Sequence, residues 1–434
     1  MTRAELRMVA AVSLAATVVV LANGGSSDSN AAVRRAVVAA VAASEPAAVP
    51  ASHGAARGPE HVSPPPVSPT PTPVAAADPV VEPAVASAAP AAAPAGPSKP
   101  PNRGSEGPKV EEPKPSKVGH VFLIALTGGD VETTFADDSP APYLAGDLRK
   151  QGALLDNYVP LGNEDLPNYI ALTSGQPPNA DTKAECATYE DFPASAKQGK
   201  SGVVSGDGCV YPNTVLSLGD QVTSSGRSWR AYLEDMDKGS DPAATCRRPA
   251  DLPGADDTLK GRPTDSYATR HNPFAYYHSL LDLGDCLAND VALPALDTDL
   301  KALHTTPNLA YIAPNLCRDG TENPCADGSP GGLPAADAFL AEWVPKILAS
   351  KAYKKDGLLI VAFLSGTPPT DPAASPPRTG LLLVSKWAKA GGRFYSAYDP
   401  YSVLRSVEDL FALKPLAKAA GAASFAQTVL PRAF

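Results

Sequence analysis

From Val118 onward the chain alternates between short apolar runs and amphipathic stretches, and from Ser44 to Lys117 it does neither. The segment Val121-Phe122-Leu123-Ile124-Ala125-Leu126 is a continuous apolar run of the length a strand buried on both faces requires, so it predicts the opening strand of a domain. After a loop rich in acids, Tyr143, Leu144, Leu148 and Leu154-Leu155 form a helical pattern, and Leu166 to Ser174 predicts a second helix ended by Gly175. Further strands are expected at Trp229–Leu233, Leu309–Ile312, Leu358–Phe363 and Leu381–Val384, with helices at Ala335–Ser350 and Ser402–Leu413. This order predicts an α/β fold over residues 118–434, with a largely parallel central sheet flanked by helices. In such sheets ligands bind outside the carboxyl ends of the strands, which directs attention to the loops after Leu126, Ile312 and Phe363.

Ahead of Val118 composition explains the missing pattern. The chain carries 47 prolines crowded toward its N-terminal side, and from Ser44 to Lys117 Ala, Pro, Val, Ser and Glu dominate without one Phe, Tyr or Trp. So little apolar surface does not offset the entropy of ordering, and residues 23–117 are expected to be a disordered Ala/Pro-rich linker acting as a semi-extended spacer. At the start, Arg3 and Arg7 precede the apolar run Met8–Ala22, too short for a comfortable membrane span but suited to a secretory signal, with Val20-Leu21-Ala22 as a cleavage site. Residues 1–22 are read as a signal peptide or, if uncleaved, as an anchor attaching the protein to the membrane or cell envelope.

The six cysteines agree with export. Cys186, Cys209, Cys246, Cys286, Cys317 and Cys325 all lie after Val118, and an even count outside the cytosol suggests three disulfides. Neighbours are expected to pair, Cys186 with Cys209, Cys246 with Cys286 and Cys317 with Cys325; a zinc site lacks both a C-x-x-C spacing and a His pair. The net charge of -9 and the lack of a Lys/Arg stripe exclude a nucleic-acid binder, and the pairs Arg34-Arg35 and Arg247-Arg248 read as solvated surface charge.

An ordered series of short words carries a resemblance. They are His120-Val121-Phe122, Leu166-Pro167-Asn168-Tyr169 through Thr173-Ser174-Gly175, Tyr267 through His271-Asn272-Pro273-Phe274, Pro314-Asn315-Leu316-Cys317, Ala336-Asp337, and Tyr401-Ser402-Val403-Leu404-Arg405 with Glu408-Asp409-Leu410-Phe411. In these the sequence resembles the phosphoesterase family of secreted acid phosphatases and phospholipase C-type enzymes, relatives of the alkaline phosphatase superfamily. The resemblance implies an alkaline-phosphatase-like sandwich and metal-assisted hydrolysis of phosphate esters, a divalent cation activating a Ser or Thr nucleophile.

The resemblance fails where the chemistry should be. After the first strand the family carries a Glu-Asn pair, and this chain has Thr127, Gly128 and Gly129; the nucleophile position holds Asp165; a Thr-Phe-Asp-Glu stretch is replaced by Ala362-Phe363-Leu364-Ser365. An Asp-x-His-Asp pattern is represented by Asp319-Gly320-Thr321-Glu322, and an Asn-His by Asp399-Pro400. At a helix N-terminus, Asp165 is expected to cap the helix with its own carboxylate and to repel phosphate.

Asp165, Asn168, His271, Asp319 and Glu322 remain as ligand-binding candidates, and the loop acids Asp130, Glu164, Asp165, Asp319 and Glu322 are of the type that holds Ca²⁺ or Mg²⁺. Ser174 precedes Gly175 at a helix end and lacks a G-x-S-x-G elbow, so it reads as a helix terminus. The expectation is an exported pseudoenzyme that binds an unidentified ligand or protein partner through the former cleft. The alternative is an active acid phosphatase or phospholipase C-like hydrolase with substitute ligands such as Asp165 and Asp319; a third reading makes the linker, in a surface-display role, the functional part.

Overall fold

Seven consecutive buried residues, His120–Leu126, form strand β1, and successive side chains feed opposite faces of a sheet. The computed structural model describes residues 116–239, 245–366 and 376–434, so the segments expected at 1–22 and 23–117 lie outside the described residues except for Ser116 and Lys117. The other strands are β2 (Ala153–Leu155), β3 (Thr188–Tyr189), β4 (Trp229–Leu233), β5 (Gly254–Ala255), β6 (Asp290–Ala292), β7 (Leu309–Ala313), β8 (Gly357–Phe363), β9 (Leu381–Val384) and β10 (Arg393–Phe394).

Eight of them make one sheet in the order β10-β2-β9-β8-β1-β7-β4-β6, while β3 and β5 pair separately. The block from β8 to β6 is parallel, with Val121 opposite Leu309 and Leu358, and Ala231 opposite Asp290. Strand β9 runs antiparallel to both β8 and β2. The sheet is therefore largely parallel, and the central strands β1, β7 and β8 have their carboxyl ends on one side.

Residues Val121, Leu123 and Ala125 of β1 join a core that includes Tyr169 and Ile170 of helix α1 (Asp165–Ser174) and Val403, Leu404 and Leu410 of helix α3 (Pro400–Phe411). Phe122, Ile124 and Leu126 face the second core, built with Phe339, Leu340, Val344 and Ile347 of helix α2 (Gly332–Ala349). Alternation on a strand covered on both faces gives two cores from one run.

Two expectations need correction. Leu154-Leu155 do not continue the helical pattern: the helical stretch runs from Tyr143 to Gln151, Gly152 breaks it in extended conformation, and both leucines are fully buried in β2. Nor are Arg247 and Arg248 a solvated pair. Arg247 is partly buried, grips Asp265 with both terminal nitrogens at 2.9 and 2.6 Å and lies over the Tyr267 ring, whereas Arg248 is exposed. Arg34-Arg35 lies outside the described residues. The three disulfides join Cys186 to Cys209, Cys246 to Cys286 and Cys317 to Cys325, as neighbour pairing predicts. Among the described residues no helix is long and apolar enough to cross a membrane.

Candidate functional site

Helix α1 is wholly buried, and its first turn brings Asp165 to the ends of β1, β7 and β8. Its N-cap is Glu164, whose side chain makes no capping bond; Asp165 is the first helical residue and does not cap the helix. That role falls to Glu185, twenty residues on. Its Oε1 accepts from the Asp165 N–H at 2.5 Å and its Oε2 from the Leu166 N–H at 2.8 Å. Two of the free N–H groups that make a helix start an anion site are thus held by the chain's own carboxyl group.

The Asp165 carboxylate points away from its own helix. Oδ1 accepts from Ser365 Oγ at 2.5 Å, while Oδ2 accepts from Arg270 Nε at 3.1 Å and from His271 Nε2 at 3.2 Å. His271 Nε2 also lies 3.8 Å from Asp319 Oδ2. That nitrogen faces the carboxylate oxygens, and Nδ1 has no hydrogen-bond partner. The ring is stacked on Tyr169, centroids 5.2 Å apart at 13°, and the His271 carbonyl accepts from Tyr311 OH at 2.8 Å. Asp319 is completely buried, its Oδ1 accepting from the backbone N–H and hydroxyl of Thr321 at 2.7 and 2.8 Å.

The charges divide sharply. Burial by itself pushes the Asp165 carboxyl up, but the hydrogen bond and charge of His271, the Arg270 guanidinium and the Ser365 hydroxyl outweigh it and hold the group well below the usual carboxylate range. Burial, reinforced by Asp165, pushes Glu185 up to about 8, and burial pushes Asp319 up to about 6. A pocket of about 420 Å³ opens over this cluster, lined by Asn163, Asp165, Glu185, Arg270, Thr321 and Ser365 among others.

The structure brings together Asp165, His271, Asp319 and Ser365, and leaves the other candidates aside. Asn168 is buried with its amide committed to the loop before α1: Oδ1 accepts from Leu161 N, and Nδ2 donates to the Gly162 and Glu164 carbonyls, so it has no group left for a ligand. Glu322 packs beside Gly261 and makes no hydrogen bond to the cluster; burial raises its carboxyl. Asp130 caps the short helix Val131–Thr134. Ser174 donates to the Ile170 carbonyl, and Gly175 closes α1 at φ 70. Asp399 caps α3 through Ser402 N.

The positions where the resemblance expects ligands are filled by packing. Gly128, at φ 69, is pressed onto the neighbouring loop so that an added Cβ would sit 2.7 Å from the Gly320 carbonyl oxygen; a ligand side chain has no room there. Thr127 is buried and donates its N–H to the Asp319 carbonyl, and Leu364 is core. Ser365 is buried and serves Asp165.

Do the remaining residues fit the divalent cation the resemblance implies? Asp165, His271 and Asp319 place ligand atoms within 4.8 Å of one another, and Asp319 Oδ2 is buried without a hydrogen-bond partner. Against this, Asp165 Oδ2 is already paired with Arg270, and His271 Nδ1 has no acceptor, whereas a metal-bound imidazole donates its second N–H to a fixed group. The set does not fit a hydrolytic metal centre, and no step is routed through one.

Glu185 and Arg270 both touch Asp165, although the sequence predicts no site role for either. Arg270 stands next to His271 in a recognised word, a signal that was present. Glu185 reaches the site through left-handed backbone at φ 55, beside disulfide-bonded Cys186 at φ 52, and no motif marks it.

The family profile described as "Phosphoesterase family" matches residues 136–414, more than half of the chain. Among solved structures, a protein of the alkaline phosphatase superfamily from Vibrio parahaemolyticus is 11% identical with TM-score 0.39, the match covering 69% of this chain and 68% of that one. The lipoteichoic acid synthase LtaP from Listeria monocytogenes is 10% identical with TM-score 0.40, covering 70% and 75%. The phosphonate monoester hydrolase SpPMH from Silicibacter pomeroyi is 11% identical with TM-score 0.39, covering 72% and 77%. No curated protein matches the sequence significantly.

Proposed function

Because the chain belongs to the Phosphoesterase family, we propose that it is an exported, non-hydrolytic member that binds a ligand or partner through the former active-site cleft. One observation carries this reading: the helix N-terminus and the nucleophile position are both occupied by carboxyl groups of the chain itself, Glu185 on the N–H groups and Asp165 locked to Arg270, His271 and Ser365. Phosphoryl transfer depends on positioning and on positive charge around the transferring group. Here the Arg270 charge is already neutralised. A phosphate charge about 4 Å from Asp165 meets a repulsion of about 4 kcal/mol at an effective dielectric of about 20. A domain that must bind a phosphate ester tightly does not keep that carboxylate in the way.

The three disulfides and the signal-like start support export, and the Ala/Pro-rich stretch supports a spacer between an N-terminal attachment and the domain. The second reading, an active hydrolase with Asp165 and Asp319 as substitute ligands, rests on the convergence of those two carboxylates with His271. One assay separates the two: hydrolysis of an aryl phosphate by the purified, oxidised protein from acidic to neutral pH, with chelator and with added Mg²⁺, Ca²⁺, Mn²⁺ or Zn²⁺. No turnover is expected in any condition. Turnover that chelator abolishes and that Asp165→Ala removes would establish the hydrolase instead.

A further inference from the structure

Beside the edge strand β6, the Cys246–Cys286 disulfide sits in chemistry the other two lack. Both sulfurs and an oxygen of Asp290, the first residue of β6, lie within 4.8 Å of one another, and Cys286 Sγ is 3.6 Å from Asp290 Oδ2. The Arg248 guanidinium is 3.6 Å from Cys246 Sγ and 3.4 Å from the Cys246 carbonyl. By contrast, Cys186 and Cys209 both face the Thr188 carbonyl, and Cys317 faces only the Ser329 hydroxyl.

Asp290 is fully buried, has one oxygen without a partner and is otherwise held by Asn272 Nδ2 at 2.6 Å; burial pushes its carboxyl up to about 8. It therefore carries a proton at neutral pH. Cys246 also lines a cavity of about 520 Å³ together with Lys238, Arg247, Arg248, Asp257 and Arg262. Arg247 is paired with Asp265 and Arg262 with Asp257, whereas Lys238 and Arg248 have no ion-pair partner among the described residues, so the cavity wall is net positive.

We propose that Cys246–Cys286 is a thiol-exchange site that takes a small anionic thiol through this cavity. The incoming thiolate forms a bond to Cys246 Sγ, the Cys246–Cys286 bond breaks, and Cys286 leaves with the electron pair and takes the Asp290 proton. A second thiol then attacks the bound thiol's sulfur, releasing the oxidised disulfide of the small thiol and leaving Cys246 as a thiolate beside Arg248. Two small thiols are oxidised and one protein disulfide is reduced; the second thiol's proton returns to Asp290. Cation proximity favours the Cys246 thiolate, and a proton donor next to Cys286 makes it the better leaving group.

The test uses the full chain with reduced glutathione, alkylation at set times and peptide mass mapping. Cys246 and Cys286 should be the first pair labelled, and the glutathione adduct should sit on Cys246. Asp290→Asn should slow opening by about tenfold or more, as removal of a general acid does. Arg248→Gln, at an exposed position, should slow glutathione but not the uncharged 2-mercaptoethanol at equal thiolate concentration, and it keeps the test open should D290N fail to fold. Opening of another pair first or equally fast, an adduct on Cys286, or unchanged rates in both variants would overturn the proposal.

Discussion

Two buried aspartates, Asp165 at the cleft and Asp290 at the sheet edge, answer the same burial in opposite ways. Asp165 receives Arg270, His271 and Ser365 and stays an anion; Asp290 receives an amide from Asn272 and no cation in contact, and becomes a carboxylic acid. Desolvation raises both groups, so the neighbours decide the outcome. At the cleft the decision closes the chemistry, because the carboxylate is satisfied on every side. At the edge it leaves a proton beside a disulfide, poised to be given away.

The largest effect should come from stripping the ion pair out of the cleft. Asp165→Ala takes from Arg270 Nε and His271 Nε2 the carboxylate they share, and leaves Arg270 only the Leu259 carbonyl. Breaking a buried pair by removing one partner costs about 3–5 kcal/mol, to be read from denaturant unfolding at neutral pH. A cost under about 1 kcal/mol would mean that water or Asp319 takes over, and the contrast between the two aspartates would lose its basis.

A smaller effect, but one that separates the regions, is the dependence of stability on pH. Asp290, Glu185 and Glu408 are each raised to about 8, and Asp319 to about 6, above their unfolded values. The folded state then binds more protons than the unfolded chain between about pH 4 and 8, so stability is full at the acidic end and is lost as pH rises. Asp165 acts in the other direction, its contribution being lost only as pH falls below about 4, near the unfolded value. Melting temperature should therefore fall from pH 5 to pH 8. Asp290→Asn should flatten the slope, matching the parent at pH 4 and exceeding it by about 1 kcal/mol or more at pH 8. A parent whose stability rises over this range would show that these carboxyls ionise freely in the fold.

What could be read ahead of the structure follows the same division between groups with local and distant partners. Leu381–Val384 was legible to the residue because a strand covered on both faces is a bare apolar run, and Trp229–Leu233 was legible because only the half-buried Arg230 interrupts its apolar residues. The disulfides were legible because each joins neighbours in the order of the chain. Leu154-Leu155 misled because two leucines after a helical pattern fit either periodicity, and Gly152 is the punctuation that decides. Asp165 was found by its place in a word. Its partners were not: Arg270 and Ser365 come from 105 and 200 residues away, and Glu185 arrives by a turn whose left-handed backbone has no glycine to announce it.

Glu185 provides the finest test of what fills the cleft. Glu185→Ala frees the N–H groups of Asp165 and Leu166, which as a lost cap costs about 1 kcal/mol. The more telling measurement is melting in the presence of inorganic phosphate. If Glu185 is the occupant of an anion site, phosphate should raise the melting temperature of the Ala variant and leave the parent unmoved, because a ligand stabilises only the state with room for it. Glu185→Gln keeps one acceptor and the bulk of the side chain over the helix start, so phosphate should still leave its melting temperature unmoved. Equal stabilisation of parent and Ala variant would place the phosphate elsewhere, and Glu185 would then be a capping group with no bearing on ligand choice.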